Sequence, residues 1–134
     1  MTEQFDLDAA IARAKTGDSE TQLVLGDYYS QHPDETKRNH DLAMSWYETS
    51  FDSGYALAAY RIGELYEKGI CRAENSSLAL KWYERGSDAG CAACSGKLMF
   101  VFDSGQLGVE RNQALMEHYR TKMTAQTKKN GSRT

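Results

Sequence analysis

Long apolar runs are missing from this 134-residue chain. No stretch approaches the roughly 18 apolar residues that a membrane-spanning helix needs. The opening Met1-Thr-Glu-Gln-Phe-Asp-Leu-Asp8 lacks the basic and apolar regions of a secretion signal. A cytoplasmic protein with no membrane role is expected. Cysteine is scarce and odd in number: Cys71, Cys91 and Cys94 cannot staple a secreted scaffold pair by pair. A zinc site would need four convergent ligands, and His32, His40 and His118 do not stand at finger spacing from those cysteines. No metal or cofactor is expected. Strand patterning is absent too, so no Gly-rich phosphate loop follows a strand, and no serine, histidine and acid fall into a known catalytic order. These gaps point away from catalysis.

Net charge is only −3, yet it is unevenly placed. Residues 1–67 carry 13 acidic and 5 basic side chains, and residues 68–134 carry 6 and 11. The chain should be an electrical dipole able to orient a charged partner, within a screening length of about 8–10 Å. Nucleic acid is not an expected partner, because the positive charges are spread out along the chain.

What is present is repetition. Asn39-His-Asp-Leu42-Ala43-Met-Ser-Trp46-Tyr47-Glu48 returns as Asn75-Ser-Ser-Leu78-Ala79-Leu-Lys-Trp82-Tyr83-Glu84, and more faintly as Asn112-Gln-Ala-Leu115-Met116-Glu-His-Tyr119. Ahead of these, Leu25-Gly26-Asp-Tyr-Tyr29 matches Ile62-Gly63-Glu-Leu-Tyr66, with Leu98-Met99-Phe-Val-Phe102 following. Self-similarity at this period marks a stacked-helix array. Apolar and small residues at i, i+1 and i+4 form one helical stripe. Glycine inside a helix costs about 1 kcal/mol against alanine, so its return at Gly26 and Gly63 suggests a helix crossing too close for a β-carbon.

Asn39, Asn75 and Asn112 are good N-caps. Gly17, Gly54 and Gly90 suit the left-handed residue that ends a helix. Together they predict a leading helix over 7–16, then pairs at 18–31 with 39–53, 55–68 with 75–89, and 91–104 with 112–126. Trp46, Tyr47, Trp82 and Tyr83 are expected in the core. The third copy exchanges Gly for Met99, Trp for Tyr119 and the second Tyr for Arg120, as a terminal cap should. Residues 127–134 are small, polar and basic, and read as a disordered tail.

With these motifs on view, the chain resembles the Sel-1-like repeat, a branch of the tetratricopeptide superfamily. The middle copy carries Ala59-Tyr-Arg-Ile62-Gly63-Glu-Leu-Tyr66-Glu-Lys-Gly69, then Ala79-Leu-Lys-Trp82-Tyr83 and Gly90. The first copy departs at its loop, His32-Pro33, and the third matches in part. The resemblance implies an all-α, right-handed α/α solenoid over 1–126, with repeats at about 18–53, 54–89 and 90–126. It also implies a bacterial adaptor without enzymatic activity, and lacks the per-repeat cysteine pairs of a secreted branch of the family.

In such a solenoid the first helix of each pair lines the concave side. Turned away from the Leu-Gly-Tyr stripe are Glu20, Leu23, Asp27 and Ser30, then Leu57, Tyr60, Glu64 and Glu67, then Ala93, Gly96, Phe100 and Asp103. The expected groove is an apolar ladder of Leu23, Tyr60 and Phe100 flanked by carboxylates, fit for a basic, partly hydrophobic protein segment or peptide. The bland alternative is that these are solvated helix faces. A second functional reading is a small chaperone or immunity-type inhibitor masking a basic effector domain. A third is a thiol redox protein using Cys91 and Cys94, though packing explains that pair as well. A moderately capped end also leaves room for a homodimer.

Overall fold

In a computed structural model describing residues 5–131, helices account for most of the chain, and among the described residues there is no strand. The helices are α1 (Leu7–Lys15), α2 (Ser19–Gln31), α3 (His40–Asp52), α4 (Leu57–Lys68), α5 (Ser76–Asp88), α6 (Ala92–Ser104) and α7 (Gln113–Gly131). One turn of 3-10 helix, Glu35–Lys37, lies between α2 and α3. All seven expected helices are present, each starting within two residues of its expected start. The last runs longer: residues 127–131, read as the start of a tail, continue α7. Lys128 and Lys129 fall in its last turn, where positive charge complements the helix dipole. The remainder of the expected tail, 132–134, lies outside the described residues.

Helix starts follow the caps. Asn39, Asn75 and Asn112 accept the backbone N–H of Leu42, Leu78 and Leu115, each at 3.0 Å. Asp6 does the same for Ala9. Gly17, Gly54 and Gly90 have φ of +97°, +104° and +102°, a region closed to most side chains.

The chain divides into two compact units, Met1–Tyr55 and Ala56–Thr134. In the first, α2 packs on α3 and α1 on α2. Leu25, Ala43, Met44 and Tyr47 are among its most buried side chains. A β-carbon at Gly26 would stand 2.5 Å from Cδ1 and Cε1 of Tyr47, so the glycine is what lets the ring in. The second unit repeats the device: a β-carbon at Gly63 would stand 2.5 Å from Cε1 of Tyr83. The tyrosine of each Trp-Tyr pair is thus the buried member, whereas Trp46 and Trp82 are half-buried. The Arg85 guanidinium lies 4.0 Å over the Trp82 ring.

In the α6–α7 pair, Met99 and Arg120 occupy the places of Gly63 and Tyr83, so glycine and tyrosine are lost together. Other contacts join these helices to each other and to α5. Phe102 stacks on Tyr119, centroids 5.9 Å apart and planes 4° apart. Ser87 Oγ donates to Ser95 Oγ at 2.7 Å, Ser95 Oγ donates to Gln126 Oε1 at 2.6 Å, and Gln126 Nε2 donates to the Ser87 carbonyl at 2.9 Å. Gln126→Leu would remove both bonds of the Gln126 amide, leaving the Ser95 hydroxyl the Cys91 carbonyl, at 3.3 Å, to donate to and the Ser87 carbonyl the Gly90 N–H, at 3.1 Å. We expect a loss of about 2 kcal/mol, read as a lower urea midpoint at unchanged slope.

Candidate functional site

In the second unit, α4 packs on both α5 and α6. Tyr60 of α4 rests half-buried on Tyr83, ring centroids 5.7 Å apart. Burial, then the neighbouring Glu64 charge, raises the Tyr60 pKa above the ordinary phenol value. The buried Tyr83 hydroxyl donates to Glu67 Oε1 at 2.7 Å, and Lys97 Nζ of α6 lies 3.0 Å from that oxygen and 3.1 Å from Oε2. Burial first, and the Glu67 bond second, push the Tyr83 pKa well up, so its proton stays in place. Glu64 lies 3.9 Å from Arg61 and 3.5 Å from Lys68.

The two carboxylates expected to greet a basic partner are therefore already engaged within the unit. Glu67 in particular is a structural acceptor, holding a core hydroxyl and a lysine at once. Leu57 is half-buried in the first turn of α4. Phe100 and Asp103 of α6 are exposed, Phe100 to 49%. Gly96, expected on the open face, instead lies under Met123 of α7, whose Sδ would be 2.9 Å from an added β-carbon.

In the first unit the same logic holds. Asp27 accepts the Tyr47 hydroxyl, and Ser30 Oγ lies 2.9 Å from that hydroxyl. Asp27 aligns with Glu64 and Ser30 with Glu67, so the tyrosine is met from two different positions one turn apart. Glu20 is exposed. Leu23, expected as the first apolar rung, is buried to 6%, while its neighbour Val24 is 44% exposed. On α2 the apolar side chain left in water is therefore Val24 and not Leu23, while Glu20 stays exposed as expected.

Val24 borders an apolar cleft of about 300 Å³ lined with Phe5, Asp27, Tyr28, Gln31, His32 and Pro33. Phe5 stacks on Tyr28 at 5.2 Å. A second hollow, about 240 Å³, lies among Phe5, Ala9, Ala10, Arg13, Thr21 and Val24. Sequence reasoning missed Phe5, Val24 and Tyr28. The available signal was the adjacency of two apolar residues, Leu23 and Val24, only one of which can face inward.

The expected ladder is therefore graded: Leu23 buried, Tyr60 half-buried, Phe100 exposed. Leu23, Glu20 and Asp27 belong to the first unit and the remainder to the second. Among the described residues no three His, Cys, Asp or Glu side chains converge as a metal-ion set, and no helix is long and apolar enough to cross a membrane.

Comparison with known proteins matches this architecture. The Sel1 repeat profile covers residues 19–55 and 56–91, and the boundary between the two copies falls where the two compact units meet in sequence. No curated protein sequence matches significantly. Among solved structures, a Sel1 repeat protein from Oxalobacter formigenes is 27% identical with a TM-score of 0.77, covering 92% of each chain. The c5321 protective antigen of uropathogenic Escherichia coli, displaying an SLR fold, is 25% identical with a TM-score of 0.77; the match covers 92% of this chain and 26% of that one. Immunity protein Pa5087 from Pseudomonas aeruginosa is 20% identical with a TM-score of 0.73, over 87% of this chain and 44% of that one, a likeness of fold. Sel1 repeats are typically protein-interaction modules and generally non-enzymatic. With the repeat profile matching over half its length, and helix pairs on either side of the match boundary, the chain belongs to the Sel1 repeat family.

Proposed function

We infer that this chain is an adaptor that binds a protein or peptide on the open faces of its first helices, taking a basic segment with apolar anchors. One observation carries the reading. Among the described residues, the exposed large apolar side chains are Phe5, Val24, Ile70 and Phe100. Val24 lies on α2 with Phe5 beside it, and Phe100 lies on α6. First helices thus hold apolar side chains in water, next to exposed Glu20 in one unit and Asp103 in the other. Such side chains in a shaped hollow are the raw material of interface anchors, and the flanking carboxylates favour a basic partner.

A second reading shares this surface: the partner is a basic effector domain whose activity is masked. The acidic surplus of the first half supports it, as does a structural neighbour that is an immunity protein. The two differ in whether binding silences the partner.

The test is capture of partners from extract of the source organism by the full chain, then titration of the purified partner. Val24→Asp and Phe100→Asp, both at exposed positions, should leave helical content and melting unchanged. Each is expected to weaken binding at least about tenfold, equivalent to about 1.4 kcal/mol. Unchanged affinity in both variants would overturn the reading.

A further inference from the structure

Packing does not exhaust the arrangement of Cys91 and Cys94, at the start of α6. Cys91 is the N-cap of α6: its Sγ accepts the Cys94 backbone N–H at 3.2 Å, the role Asn39 and Asn75 fill with an amide oxygen. Both are free thiols. Cys94 is fully buried, seated over Gly86 of α5, where an added β-carbon would collide with its Sγ and stand 2.8 Å from Ala59 Cβ. Cys91 keeps 6% of its surface.

The two side chains share the first turn of α6, with Cys91 Sγ on the Cys94 N–H, and the neighbouring Cys94 thiol does most to favour the Cys91 thiolate. The N–H groups of Cys94 and Ala93 and the Arg61 charge add to it against burial, bringing the Cys91 pKa down to about 7. Cys94 is pushed up, by its bond to Cys91 and by burial. An outer sulfur that ionises beside an inner one that keeps its proton is the layout of an attacking and a resolving thiol.

We propose that Cys91 and Cys94 form an oxidisable dithiol that reacts with hydrogen peroxide and closes to a disulfide across the first turn of α6. The Cys91 thiolate attacks one peroxide oxygen, the O–O bond breaks, and hydroxide leaves, giving Cys91 sulfenic acid. The Cys94 sulfur then attacks the Cys91 sulfur. The S–O bond breaks, and the departing hydroxide leaves as water with the Cys94 proton. Two thiols and one peroxide become one disulfide and two waters, the two electrons passing from sulfur to oxygen. A peroxide little larger than water suits a residue so nearly buried, whereas a bulky disulfide such as oxidised glutathione does not. Closure removes the cap from Cys94 N–H at the start of the helix that carries Lys97 and Phe100.

The full-length protein is treated with a few equivalents of hydrogen peroxide, quenched with catalase, denatured, and alkylated with N-ethylmaleimide for intact mass and peptide mapping. The expected result is loss of label at both Cys91 and Cys94, retention at Cys71, and recovery of both labels after dithiothreitol. In Cys94→Ser, dimedone should trap a sulfenic acid at Cys91. Around the pair, α4 contributes Arg61 and Tyr60, α5 Gly86 and Ser87, and α7 Gln126, and of these groups Cys91 is the one whose pKa is brought down toward neutrality. In the unsubstituted protein a lowered Cys91 pKa leaves less thiolate as pH falls, so the rate at which peroxide removes label should drop about tenfold per pH unit below 7. Retention of both labels under peroxide sufficient to oxidise Cys71 would overturn the proposal, and that readout needs no variant to fold.

Discussion

Tyr83→Ala is expected to destabilise the second unit by about 3–5 kcal/mol, the range for removing a large buried aromatic side chain. The ring is fully buried, fills the space left by Gly63, and carries a hydroxyl bonded to Glu67. Its loss opens a cavity and removes one of the partners that Glu67 holds. Against a total of about 5–15 kcal/mol for an ordinary domain, that is a large fraction, and the urea midpoint should fall accordingly. Tyr83→Phe is the control. It keeps the ring and leaves Glu67 with Lys97, so it should cost only about 1 kcal/mol. If the two variants melt alike, the hydroxyl and not the ring carries the packing, contrary to the geometry.

Gly63→Ala is the sharper test because elementary helix propensity predicts the opposite sign. In an open helix the change would stabilise by about 1 kcal/mol. Here the new methyl would lie 2.5, 2.8 and 2.9 Å from three atoms of the Tyr83 ring, a rigid group with no slack. Overpacking of this kind costs about 1–3 kcal/mol, occasionally more. We expect a net loss of about 2 kcal/mol in chemical denaturation. In a Tyr83→Leu background the penalty should shrink, and the double-mutant cycle reads the coupling directly. Additive effects would mean that the glycine serves some purpose other than admitting this ring.

The crossing was legible in the sequence because two signals agreed: a glycine recurring where glycine is disfavoured, and an aromatic recurring at the same period. Helix starts were legible for a similar reason, since Asn39, Asn75 and Asn112 mark positions that only a capping side chain explains. The open face of α2 was not. Leu23 and Val24 are both apolar and adjacent, and a helical stripe wide enough for either leaves their ranking to contacts made elsewhere in the unit. Nor could spacing show that Glu67 would be held by Tyr83 and Lys97, because those partners come from α5 and α6. Carboxylates on a first helix look identical in the sequence whether they await a ligand or complete the core. The extension of α7 was obscured by composition: polar, basic residues read as coil, yet they also sit well at a helix C-terminus.

The hydroxyl of the inner tyrosine is met by Asp27 and Ser30 in one copy and by Glu67 in the other. Anchoring the ring therefore does not demand one fixed residue; either of two neighbouring sites can supply the acceptor. In the second copy Glu67 holds the ring while Glu64 turns to Arg61 and Lys68. The outer side of a first helix can thus differ from copy to copy while the ring beneath stays tied.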